Sequence, residues 1–257
     1  MGRWGIRAAT IVMTEGQRFA VAAWSAWAPS RETAADWRAW AGAGSGAADL
    51  NVAPTAVPMM LRRRATALGQ KVIAGALACG EALRAGRYVL ASRHGEFSRT
   101  LRILESLAKH ELPSPADFSM SVHNALAGLL SIHFNNMRGH TALAAGVDTF
   151  GFGLVEAATC LAEQPQEPVL LIFGDEPLSG EFTTFGADDV GLPLVVALAL
   201  RAPRAAEDGI VFEAKPRCSG APSSAAPALV FLRFLLSGED VAVSEGARMT
   251  WTWRRAA

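Results

Sequence analysis

Excess charge of either sign is missing: 24 lysines and arginines face 24 aspartates and glutamates, a formal net charge of +0. A neutral chain exerts no whole-protein pull on nucleic acid or an anionic membrane, so any charged contact must be local. Cysteine is scarce. Cys79, Cys160 and Cys218 make an odd number without metal-ligand spacing, which fits reduced, mostly buried thiols rather than a disulfide framework or a zinc site. Long apolar runs are lacking too, and a stretch such as Leu192 to Leu200 is too short to span a bilayer as a helix. Met1 to Gln17 carries Arg3 and Arg7 but no uninterrupted apolar core with a cleavage-like site, so no signal peptide is expected. Together these absences predict a cytoplasmic protein without a membrane span and without a nucleic-acid partner.

What is present is core-forming material. With 51% hydrophobic and 19% charged residues, the 257 positions suit a single globular domain over 1–257. So much apolar content without a membrane segment also favours a surface covered by a partner.

Phe19 to Trp24 predicts the first strand, and Pro29 helps end it. Thr33 to Trp40 predicts a short helix presenting Trp37 and Trp40 to the core, followed by a loop of small residues over Ala41 to Ala48. Met59 to Arg84 has helical composition with a stripe of Leu61, Leu68, Val72, Ala76 and Leu83. Arg62, Arg63 and Arg64 read either as a basic patch for an acidic partner or as a solvated face.

Tyr88 to Ala91 predicts a strand running into Arg93, His94 and Glu96, and strand ends are where open α/β sheets bind ligands. The trio reads as a proton-shuttling site or as an Arg–Glu pair fixing a loop; without an attached nucleophile, it is taken as a structural polar cluster. Ser114 or Asp117 is placed to cap a helix running through Leu130. Ser121 and His123 stand two apart on that helix and diverge, while His133 and His140 have no companion ligands.

The organising stretch is Pro113 to Glu176, which turns sharply at Thr141-Ala142-Leu143-Ala144-Ala145-Gly146 into the small, apolar helix Val147 to Leu161. A helix starting at such a turn aims free N–H groups and its positive end at whatever the turn presents. Cys160 lies several turns away from that end and makes a poor nucleophile. Val169 to Phe173 and Leu192 to Leu200 read as buried strands, with Gly174-Asp175-Glu176-Pro177 as a polar turn between them. Beyond Pro203, Gly209 to Ala214 predicts a strand, Pro216 to Pro227 a loop, Ala228 to Leu236 a helix and Ala247 to Arg254 a terminal strand with Met249, Trp251 and Trp253 on one face.

Several of these motifs carry a resemblance. Pro58-Met59-Met60-Leu61-Arg62-Arg63-Arg64, Ala91-Ser92-Arg93-His94-Gly95-Glu96, Ser114 to Ala125, Asp148-Thr149-Phe150 and Gly174-Asp175-Glu176-Pro177 together resemble the short ketosynthase-like proteins called β-ketoacyl synthase chain-length factors. These belong to type II polyketide systems of the aryl polyene kind. The resemblance covers roughly Phe19 to Ala202 and implies an α/β, thiolase-like half-fold: a mixed, mostly parallel sheet covered by helices, with a C-terminal extension over 203–257. It places Leu143 where active members carry a nucleophilic cysteine, and this chain has no histidine after His140 to act as their acid–base partners. The implication is a catalytically silent subunit, without cofactor or metal, paired as a heteromer with an active β-ketoacyl-ACP synthase. An acyl carrier protein would be met through that complex. Phe118, Met120, Leu126, Thr141, Leu143 and Phe150 become candidates for the acyl tunnel or the subunit interface, with Gly139 to Leu143 as the pairing edge. A structural stabiliser without chain-length control, or an independent acyltransferase or hydrolase using Ser121, Cys160 or His94, remain the alternatives.

Overall fold

A computed structural model describes residues 16–42, 56–186, 191–205, 208–217 and 225–256. The expected loop beyond Gly42, most of the loop before Pro227, the N-terminal 15 residues and Cys218 lie outside these. In chain order the strands are β1 (Gln17–Trp27), β2 (Arg87–Ala91), β3 (His140–Leu143), β4 (Val169–Asp175), β5 (Leu194–Arg201), β6 (Ile210–Pro216), β7 (Val241–Glu245) and β8 (Met249–Arg255). The helices are α1 (Ala34–Ala41), α2 (Met59–Arg62), α3 (Ala67–Ala78), α4 (Glu81–Ala85), α5 (Phe97–Ala108), α6 (Pro115–Met120), α7 (Ala125–Phe134), α8 (Thr149–Glu163) and α9 (Pro227–Ser237).

The strands form one eight-stranded sheet in the order β3-β2-β4-β5-β1-β6-β8-β7. It is mixed, as expected, but its parallel part is confined to β3–β2 and β2–β4; the other pairings among the described residues are antiparallel. The reason is local. Helical crossovers return the chain in parallel up to β4, and β5 then runs back along β4 after a connection whose described residues hold only a short 3-10 helix. β1 serves two ladders: Gln17 to Phe19 pair with β6, and Ala20 to Trp27 pair with β5 across a register shift between Val21 and Ala23. Residues beyond 203 thereby continue the sheet.

Both faces are covered. Val169, Leu171 and Phe173 of β4 join the core under α1, α8 and α9, while Leu170 and Ile172 join the opposite core under α3 and α7. This alternation explains the uninterrupted apolar run of β4. The stripe in 59–84 is buried as expected, but its helix is broken into three. Thr66 caps α3 by accepting a hydrogen bond from Gly69 N–H, and Gly80 at φ 55° separates α3 from α4. Ser114 caps α6 in the expected way, yet 121–124 interrupts the helix before α7.

Close approach of α8 to β8 depends on Gly151, where an added Cβ would overlap the fully buried Trp251 indole. In a helix, alanine gains about 1 kcal/mol over glycine, whereas overpacking costs roughly 1–3 kcal/mol. Gly151→Ala is therefore expected to lower the urea midpoint of unfolding; a raised midpoint would show that β8 can retreat without loss.

Candidate functional site

The elbow after β3 is the natural place for chemistry, because it lies at the carboxyl end of the parallel strands. β3 is the sheet edge. Tyr88 N–H donates to Gly139 O and Ser92 N–H to Leu143 O, so odd-numbered residues face β2 while His140 and Ala142 present their N–H and C=O groups outward. Leu143 ends the strand with its side chain partly buried against the α8 core. The helix does not start at once, as the sequence suggested. Gly146, at φ 62°, opens a single 3-10 turn (Gly146–Asp148), and α8 begins at Thr149.

Two backbone donors of the elbow, ahead of α8, are engaged within the chain. Ala145 N–H donates to Thr149 Oγ1 at 2.9 Å, and Asp148 N–H to Ala145 O at 3.2 Å. Asp148 is fully buried and accepts from Arg248 N–H at 2.8 Å and Trp251 Nε1 at 2.9 Å. The Asp148 side chain thus turns towards the β7–β8 hairpin and makes no capping hydrogen bond to the N–H groups of α8. Sequence reasoning noted Asp148 only within a motif; its partner lies about a hundred residues away, and no local pattern announces it.

Farther along α8, Glu156 accepts from Thr141 Oγ1 at 2.8 Å and lies 3.9 Å from Cys160 Sγ. Burial, reinforced by Glu156 and Glu163, pushes the Cys160 thiol up against the opposing effect of Arg87. Burial likewise pushes Cys79 up to about 12. Ser121 donates to Phe118 O at 2.9 Å, and His123 Nε2 lies 2.7 Å from Ser92 O, so these side chains serve different loops.

The loop following β2 is clamped rather than open. Asp175 accepts from Ser92 Oγ at 3.1 Å, from Arg93 N–H at 2.9 and 2.8 Å, and from His94 N–H at 3.0 Å. Burial raises the Asp175 carboxyl, and the Arg93 and His94 N–H groups pull it back. Glu96 turns the other way, accepting from Thr66 Oγ1 at 2.9 Å and Arg99 Nε at 3.3 Å. Glu96 and Arg99 form an ion pair at the start of α5. Arg99 also reaches Asp117 at 2.8 Å and the Arg64 carbonyl, and Arg102 Nη2 meets Asp117 at 2.7 Å. The i, i+3 spacing of Glu96 and Arg99 was a signal available in the sequence.

The interface and tunnel candidates fall in three places. Phe118 is 66% exposed, and Thr141 and Leu143 lie on the edge strand. Met120 packs against the α3/α7 core that contains Leu126. Phe150 is buried in the α8 core, 5.7 Å from the Phe173 ring and 5.4 Å from that of Phe231. No three described His, Cys, Asp or Glu residues are arranged to hold a metal, and no described helix is long and apolar enough to cross a membrane.

This mixed sheet under helices, with an elbow between edge strand and buried helix, is a thiolase-like ketosynthase fold. The family described as "Beta-ketoacyl synthase, N-terminal domain" matches residues 37–254, and the chain belongs to it. A chain of the ketosynthase (ApeO) in complex with its chain length factor (ApeC) from Xenorhabdus doucetiae is 29% identical at a TM-score of 0.78, covering 93% of this chain and 99% of that one. The ishigamide ketosynthase/chain length factor is similar in fold at 11% identity and TM-score 0.65, covering 93% and 100%. A ketosynthase from Burkholderia phymatum STM815 is also similar in fold, at 14% identity and TM-score 0.56, covering 87% and 71%. No curated protein matches. The chain is a short, chain-length-factor-like ketosynthase homologue.

Two outcomes follow from the site's electrostatics. At pH 8 the folded protein should protect Cys79 and Cys160 from iodoacetamide, as mapped by peptide mass, until urea unfolds it; rapid labelling of Cys160 would restore it as a nucleophile. Hydrogen bonding to Arg102, then the Arg102 and Arg99 charges, holds the Asp117 carboxyl below its ordinary value. Its stabilising contribution is then present above the unfolded carboxylate pKa and lost as pH falls through the folded one. Asp117→Asn should cost about 1–3 kcal/mol at pH 7 and less at low pH; a pH-independent penalty in denaturation would contradict this.

Proposed function

We propose that this chain is a noncatalytic, chain-length-factor-like subunit that pairs with an active β-ketoacyl-ACP synthase and helps shape its acyl tunnel in a type II polyketide system of the aryl polyene kind. The observation carrying the proposal is Leu143 at the end of an open edge strand, in the position where the resemblance puts a cysteine. Leucine cannot form a thioester. Cysteine attack, decarboxylation and carbon–carbon bond formation then belong to the partner.

The pairing has a physical basis. An edge strand with outward N–H and C=O groups favours strand addition, which would join two sheets and cover both edges. Exposed apolar side chains follow in the α6–α7 region: Phe118 at 66%, Val122 at 49%, Ile132 at 81% and Met137 at 88%. Burying them against a partner provides the non-directional part of the association. The three exposed arginines, Arg62, Arg63 and Arg64, make no ion pair among the described residues and offer the complex a surface for an acidic acyl carrier protein. Leu126 and Phe150 are committed to this chain's own cores, an observation that favours the stabiliser reading for those positions.

The test is co-purification and light-scattering mass of this chain with the ketosynthase encoded nearest to it. A stable heteromer is expected, and Ala142→Pro, which removes an outward N–H while leaving the β2 ladder intact, should break it. A monomer indifferent to the ketosynthase would overturn the proposal. In the intact complex, Leu143→Cys should add no condensing activity, while Phe118→Ala and Met120→Ala should change product length. Unchanged products from folded variants would leave only stabilisation.

A further inference from the structure

A second surface is left open by α5. Phe97, Leu101, Leu104 and Ala108 recur along it at i, i+4, i+7 and i+11, one apolar stripe of a helix whose opposite side is tied down by Arg99 and Arg102 to Asp117. The stripe faces the 3-10 turn Gly180–Phe185, and between them lies a groove of about 500 Å³ lined by Leu101, Leu104, Ala108 and Phe182. Phe182 rests edge-on against Phe97 at 5.4 Å, extending the apolar floor, and Phe185 beside it is 71% exposed. Glu105 and Glu181 also line the groove; both are exposed and make no ion pair among the described residues. Lys109 stands at the C-cap, past the stripe.

We propose that this groove docks a basic amphipathic helix of a protein partner. An apolar floor bounded by two exposed carboxylates selects aliphatic anchors flanked by lysine or arginine, and it repels an acidic carrier. The volume accommodates about two or three anchors spaced as a helix presents them. The groove lies at the same end of the sheet as Leu143, since α5 follows β2 and the 3-10 turn follows β4, but its lining shares no residue with the β3 edge. The groove is thus a different surface from the β3 edge that the proposed pairing uses.

The experiment uses the full chain, in the oligomeric form in which it purifies, and two fluorescein-labelled synthetic helices. Both carry leucines on one face; one has lysine flanks and the other glutamate flanks. The lysine helix should bind, with hydrogen-exchange protection over 97–108 and 179–186, and weaken as salt rises. The doubly charge-reversed variant E105K/E181K, altered only at exposed positions, should bind the lysine helix about tenfold more weakly and the glutamate helix more tightly. Absence of binding, equal binding of both helices, protection elsewhere, or an unchanged preference in the variant would overturn the proposal. Co-purification with the ketosynthase is read separately, so either idea can fail alone.

Discussion

The buried carboxylate of Asp148 is the constraint on which the remaining architecture depends. It joins the start of α8 to Trp251 and to the backbone of Arg248, positions brought together only when β8 has closed over the helix. Hydrogen bonds to a charged group are worth about 1.5–3 kcal/mol each, and orphaning a buried one costs more. The C-terminal strands are consequently fastened to the centre of the fold. Arg217 extends the fastening, its N–H donating to Arg248 O and its guanidinium to Gly246 O. Phe152 packs edge-on against Trp251 on the same helix face.

The same contact bears on function. A nucleophilic elbow needs backbone donors and a positive helix end left free for the developing charge. Here Ala145 and Asp148 N–H close a local turn, the Asp148 side chain turns to Trp251 and Arg248 rather than capping α8, and Leu143 stands at the end of the edge strand. What the chain leaves open is instead its periphery: the β3 edge, the apolar residues near α6 and α7, and the α5 groove. A net charge of zero conceals an uneven surface: Arg62, Arg63 and Arg64 at the end of α2, and Glu105 and Glu181 at the α5 groove, make no ion pair among the described residues.

Local chemistry made much of this legible. Alternation identified β8, continuous apolar runs identified β4 and β5, Thr33 and Ser114 marked helix starts, and the elbow could be located by its small residues and family resemblance. The misreadings share a cause. Composition alone joined α2, α3 and α4 because alanine and leucine tolerate a helix throughout, whereas Thr66 and Gly80 interrupt it through a cap and a left-handed backbone. β7 escaped notice because Val241 and Val243 point outward from an edge, so alternation there reports no core. The Glu96–Arg99 pair was within reach of helical spacing. Asp148 with Trp251 and Asp175 with the Ser92 loop connect distant segments, and a single sequence contains no local trace of such pairs.

The same ties limit how the elbow could be altered. A thiol at position 143 would stand in a chain whose sequence carries no histidine after His140 to take or return a proton. Substituting Asp148, at the start of α8, would strip Trp251 Nε1 and Arg248 N–H of their acceptor and loosen β8. The elbow and the C-terminal strands are therefore not independent: a change at the start of α8 is felt at β8.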